Sequence, residues 1–318
     1  MFGLTFLSAT SKTTTHRVVP LQIGRLLAVA GYAAGGFDSG NISRIDKITF
    51  PADSKSTLTA TLTSGREAAA GFANSSVAGY VAGGIGATLF SDIEKVSFPA
   101  HTKTTLSATL TSARRYETGF ANSGTAGYVA GGYDSGNISG IDKVSFPADS
   151  KTTLSATLTT ARNGMAGFAN SGVAGYVAGG EDSANISGID KVSFPADTKT
   201  TLSATLTTAR RYETGFANSG TAGYVAGGYD SGNISGIDKV SFPADSKTTL
   251  SATLTTARYG AAGFANSGVA GYVAGGIESG NISGIDKVSF SADTKTTLSA
   301  TLTTAVRFAS GFANSGTL

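Results

Sequence analysis

The side chains best equipped for chemistry come in sets. Arg115-Tyr116-Glu117 recurs 96 residues later as Arg211-Tyr212-Glu213, and Arg307-Phe308 repeats the first two types after another 96. Arg114 and Arg210 precede the first two sets. Guanidinium groups beside a phenol and a carboxylate could hold an anionic substrate, with Tyr as nucleophile and Glu as its acid or base. A catalytic centre needs one asymmetric constellation, whereas these sets are copies. The reading is therefore non-enzymatic, with no catalytic residue. Arg and aromatic side chains also give large rigid contact area and directional donors, which suits them to anchor an interface. Phe37, Tyr133 and Tyr229 belong with them, because each directly follows a Gly-Gly pair at the same 96-residue spacing. The candidate partner-binding residues are thus Arg115, Tyr116, Glu117, Tyr133, Arg211, Tyr212, Glu213, Tyr229, Arg307, Phe308 and Phe37.

Other chemistries are poorly provided for. The chain has no Cys, so a thiol nucleophile, a disulfide or a thiolate metal site cannot form. Its two His, His16 and His101, are too few for a three-His zinc site. Asp134, Asp182 and Asp230 open turns with a nearby Asn, but one carboxylate per turn falls short of a dedicated calcium loop. No metal and no cofactor are expected. Net charge is +3, and most Lys lie beside or near an Asp, as in Asp142-Lys143, which argues against a nucleic-acid partner. No apolar run approaches the roughly 18 residues of a membrane span, so membrane insertion is not expected. The start, Met1 to Phe6, lacks a charged segment and is not a recognisable signal peptide.

The elements that must position the Arg and Tyr sets are written in a repeat. A Gly opening the Gly-Tyr-x-Ala-Gly-Gly stretch falls at Gly31, Gly79, Gly127, Gly175, Gly223 and Gly271, in steps of 48 residues. A Phe follows at Phe50, Phe98, Phe146, Phe194, Phe242 and Phe290. Within Gly127–Ala174, "GYVAGG" is a short strand stopped by glycines and "YDSGN" is turn chemistry. "ISGIDKVSF" has apolar residues on both faces, the mark of a strand covered on both sides. After the "PADSK" turn, "TTLSATLTT" alternates Leu154, Ala156 and Leu158 with Ser and Thr, which predicts a half-buried outer strand reaching Leu158. "GFANS" supplies the last strand. Four short strands per 48 residues, without helical periodicity, predict the blades of a β-propeller rather than the shorter coils of a β-solenoid.

The order "GFANSGTAGYVAGGYDSG…GIDKVSF…LTTAR" resembles the kelch repeat, in which a Tyr-containing strand ends in double Gly and an outer strand ends in a basic residue. The outer-strand Trp of that family is absent here, with Leu106, Leu154 and Leu202 near its place. The resemblance implies an all-β, six-bladed, kelch-like propeller of four antiparallel strands per blade over residues 31–318. The first unit lacks an inner strand and Gly311–Leu318 supplies one, so the C-terminal strand should close the first blade. A rival closure, with Leu26–Ala30 as the inner strand, would free that end to complete a neighbouring molecule. Residues 1–30 are then an N-terminal extension, a cap or tether in which Ser8–His16 looks like a worn repeat remnant.

Differences between units concentrate in the loop after the outer strand and at the residue after the double Gly. In an antiparallel blade both places open onto one rim. In kelch-like propellers that rim is the usual partner-binding face. The 96-residue period predicts three Arg/aromatic clusters on it. Three roles fit: a virion-associated or tail-fibre-like protein for assembly or host recognition, a bacterial surface or secreted glycan-binding adhesin, or an intracellular kelch-type scaffold binding a peptide. The first draws on a likeness between this Thr/Ser-rich, Trp-free repeat and propeller repeats encoded by bacteriophages. Partners would be a protein or a surface glycan, other virion proteins, or further copies of the chain. The location expected is the virion, the cell surface or the extracellular space.

Overall fold

The computed structural model describes residues 29–314 and is all-β, with no helix among them. The extension read over residues 1–30 therefore lies outside the description except for Val29 and Ala30, and residues 315–318 of the closing segment lie outside it too.

Six four-stranded antiparallel sheets form the blades of a β-propeller. Blade 1 contains β1 (Ala30–Ala34), β2 (Ile45–Thr49) and β3 (Ser54–Thr57). Blade 2 is β4 (Ala70–Asn74), β5 (Ala78–Ala82), β6 (Asp92–Ser97) and β7 (Lys103–Thr109). Blade 3 is β8 (Thr118–Asn122), β9 (Ala126–Ala130), β10 (Ile141–Ser145) and β11 (Ser150–Thr153). Blade 4 runs β12 to β15 (Ala166–Asn170, Ala174–Ala178, Ile189–Ser193, Thr198–Thr201), and blade 5 runs β16 to β19 (Thr214–Asn218, Ala222–Ala226, Ile237–Ser241, Ser246–Thr249). Blade 6 is β20 to β23 (Ala262–Asn266, Ala270–Ala274, Ile285–Ser289, Lys295–Thr297), and β24 (Ser310–Ala313) returns to blade 1. There β24 pairs with β1 from Gly31↔Ala313 to Ala34↔Ser310, which closes the ring within one molecule and leaves no place for the rival closure.

Small residues set the radius. A β-carbon added at Gly119 would lie 2.3 Å from the carbonyl oxygen of Gly71, and one at Gly167 would lie 2.4 Å from that of Gly119. Only Gly lets the six inner strands approach this closely around the axis. The seams between blades are aromatic. Phe72 and Tyr80 of blade 2 stack at 5.1 Å between ring centroids, and Phe146 of blade 3 lies 5.3 Å from Tyr80. Phe72 also fills the space over Gly127, where a β-carbon would meet its ring at 2.1 Å. Such stacks recur at every seam, each ring pair adding about 0.5–1.5 kcal/mol beyond its buried area.

The third strand is covered on both faces as expected, with Ile141 and Val144 both fully buried. The outer strand differs from the sequence reading. β11 begins at Ser150, inside the expected turn, and ends at Thr153. The Leu154 amide makes the last ladder bond, to Ile141 O at 2.9 Å, and the chain then leaves the sheet and buries Leu158. The Leu/Thr alternation beyond Thr153 therefore belongs to a segment that crosses toward the next blade. In blade 2 alone the outer strand continues to Thr109.

Candidate functional site

The two variable segments open on the same rim and are bridged residue by residue. Arg115 donates its amide to Tyr133 O at 3.0 Å, and Tyr133 donates back to Arg115 O at 2.8 Å. Arg211 with Tyr229 and Arg307 with Phe37 form the same bridge. The Arg115 guanidinium lies 5.1 Å from the Tyr116 ring centroid and 5.7 Å from that of Tyr133. Arg211 repeats this with Tyr212 and Tyr229 at 5.3 and 5.5 Å, and Arg307 lies 4.4 Å over Phe37. These are cation–π contacts that orient each guanidinium along the surface.

The three sets do not stay apart as separate clusters. Tyr116, Tyr212 and Phe308 converge on the axis, with ring centroids 5.0 Å apart for the two Tyr and 5.3 Å from each to Phe308. Tyr259 extends the group, 6.0 Å from Tyr212 and 6.1 Å from Phe308. A closed circle of backbone hydrogen bonds holds the triad. Ala68, Tyr116, Gly164, Tyr212, Gly260 and Phe308 each donate an amide to the carbonyl of the equivalent residue in the preceding blade, at 2.6 to 2.9 Å. This circle requires a left-handed backbone, and blades 4 and 6 supply it with Gly164 and Gly260 at φ 67° and 63°. Tyr116, Tyr212 and Phe308 adopt it at φ 58°, 56° and 52°. The triad faces a central cavity of about 100 Å³, lined among others by Thr118, Thr214 and Ser310.

Acidic groups complete the rim. Glu181 of blade 4 pairs with Arg211, and Glu67 of blade 2 lies 3.7 Å from Arg307. Burial raises the Glu67 carboxyl above its usual range, against the pull of Arg307 and Arg115. The other two candidate carboxylates turn inward. Glu117 and Glu213 are each only 6% exposed, and Glu117 accepts a 3.0 Å hydrogen bond from the Gly84 amide of the neighbouring blade. Burial pushes both to about 8, although Arg114 and Arg210 respectively oppose the shift. They are therefore seam residues rather than part of the exposed rim.

Sequence reasoning missed the buried ion pairs behind this face. Arg114, which looked like part of the variable loop, is 2% exposed and donates to Asp142 at 3.0 Å and Val129 O at 3.4 Å. The Asp142 carboxylate also accepts from the Thr111 amide and hydroxyl and from Thr153, at 2.9, 2.6 and 2.8 Å. Burial favours its neutral form, but these donors outweigh burial and hold Asp142 below the usual carboxylate range. The signal was present in the sequence: five of six units begin the variable loop with Arg, at Arg66, Arg114, Arg162, Arg210 and Arg258. The opposite face shows the same alternation of blades, with Val77, Val173 and Val269 about half exposed and 96 residues apart.

Among the described residues no three His, Asp or Glu converge into a group that could hold a metal ion. No protein-family model matches the chain, and no curated protein matches it.

Proposed function

We propose that this chain is a non-enzymatic binding module whose arginine–aromatic face docks on a protein or a surface glycan. The left-handed backbone at Tyr116, Tyr212 and Phe308 carries the reading. Two of the three sister blades fill that position with Gly and the third with the small Ala68, so each bulky side chain is kept there at a cost of about 1–2 kcal/mol relative to Gly. What the molecule gains is an aromatic centre flanked by oriented guanidiniums on one face, and strain retained at a surface cluster supports a functional reading. Blade 1 adds support. Its Phe308, Phe37 and Ser310 stand where blades 3 and 5 carry Tyr, Tyr and Thr, so the side-chain type persists where simple copying would have kept the residue.

For the setting, we place the chain on a virion, as a kelch-like, tail-fibre-like protein for assembly or host recognition. The support is the likeness of its repeat to bacteriophage propeller repeats. Wild-type protein and the Y116A/Y212A/F308A variant, applied to an array of bacterial surface glycans and to intact cells, test the face. The variant should lose about 2 kcal/mol or more of affinity per true anchor. Equal binding by a folded variant would move the site elsewhere. A gene neighbourhood of capsid and tail genes is the expected context, and its absence would remove the virion setting while leaving the face intact.

A further inference from the structure

We infer that His101 makes the seam between blades 1 and 2 the point at which mild acid opens the ring. At five seams an Asp in the turn between third and outer strands clamps the preceding blade. Asp149, Asp197, Asp245, Asp293 and Asp53 accept from Tyr80, Tyr128, Tyr176, Tyr224 and Tyr272 at 2.7 to 3.0 Å. Each also pairs with a Lys of that blade at 2.6 or 2.7 Å, as Asp149 does with Lys95. At the sixth seam the clamp is His101. Its φ of 55° matches the 47° to 54° of the five Asp, so the exchange alters the chemistry and not the turn.

The Tyr32 hydroxyl meets His101 Nε2 at 3.0 Å, and the two rings lie 5.7 Å apart. Lys47, register partner of Tyr32 on β2, faces an imidazole where its counterparts face a carboxylate. The groups that act on His101 are thus Tyr32 from β1, Lys47 from β2 and the apolar Phe98 of its own blade. Neutral imidazole accepts the Tyr32 hydrogen bond and is compatible with Lys47. Protonated imidazole confronts Lys47 with a second cation and no acid in the clamp. Burial first, and Lys47 second, hold the imidazole below its usual 6.5. Below about pH 6.5 the unfolded chain therefore binds a proton that the closed seam refuses, and stability falls with pH. The position is consequential, because blade 1 is the blade assembled from both ends of the described chain.

Hydrogen exchange of the full chain at pH 7.5 and pH 5, corrected for intrinsic rates, tests this with H101D and H101N. In the wild type, exchange of β1 and β24 should rise relative to β21 and β22 on acidification, because the closed seam holds the imidazole neutral. H101D, which restores the clamp, should abolish the rise. H101N stays neutral at both pH values and should abolish it too, so a folding failure of one variant leaves the other decisive. The same rise in a folded variant, or a rise spread evenly over six blades, would overturn the inference.

Discussion

Arg44 stands in for an arginine that blade 1 lacks at Val306. Val306 is 3% exposed and occupies the position that holds a buried Arg at the other five seams. Arg44, just before β2 and where blades 3 to 6 carry Gly, approaches Asp46, which lacks the usual buried guanidinium, at 3.6 Å and bonds Thr304 at 2.7 Å. Blade 2 adjusts differently: Arg66 makes two 2.8 Å bonds to Asp92 and a third to Glu94, where blade 3 has Gly140 and Asp142.

The exchange between Arg44 and Val306 is testable as a double-mutant cycle. R44G should cost about 3 kcal/mol, because the 3%-exposed Asp46 loses its guanidinium. V306R added to R44G should restore stability to within about 1 kcal/mol, measured by urea unfolding. Additive losses would show that the two positions are independent.

Glu117 and Glu213 give the fold a pH dependence of known sign. Their folded proton affinities, pushed to about 8, exceed the usual 4.5. The stabilisation from holding those protons is complete below about pH 4.5 and is lost as pH rises toward 8. E117Q/E213Q should therefore match the wild type near pH 4.5 and exceed it by about 2–4 kcal/mol per site at pH 8. A gain in Tm independent of pH would mean that both carboxylates are ionised throughout.

The glycine hub should tolerate no β-carbon. G119A would place one 2.3 Å from the Gly71 carbonyl oxygen and should cost about 3 kcal/mol or more. G136A, in open space on the rim, should change stability by less than about 0.5 kcal/mol. Similar Tm values for the two variants would show that the inner strands can spread.

The closing strand should count as much as any internal strand. Phe312 and Phe168 are both fully buried, so F312A and F168A should each cost about 3–5 kcal/mol. A much smaller loss for F312A would mean that β24 contributes little to the seam.

The six blades, the closing strand and the shared rim were legible because Gly, Tyr and Phe landmarks recur without insertion. Radial position was not legible. Spacing placed Tyr116, Tyr212 and Phe308 on three blades but could not show that their rings meet over the axis, since blade spacing at the hub depends on how closely Gly71 and Gly119 approach. The alternation from Thr152 to Leu158 continued past the point where pairing stops, so the outer strand was read too long. Arg114 sits within a loop that varies, and its partner Asp142 lies 28 residues on, in the third strand of the blade that loop leads into, a contact that only the fold brings together. Glu117 looked like its half-buried neighbour Tyr116, but the left-handed turn at Tyr116 sends the next side chain into the seam.

The circle of amides around the axis runs in one rotational sense, so the in-plane dipoles of its six hydrogen bonds cancel. The hub is electrically quiet by construction. The potential met by anything approaching along the axis is composed instead by Arg115, Arg211 and Arg307 against Glu67 and Glu181, none of which supplies a side chain to that circle. Attraction and architecture are thus written in different residues, and the sign of the hub could be reversed without touching the bonds that keep it round.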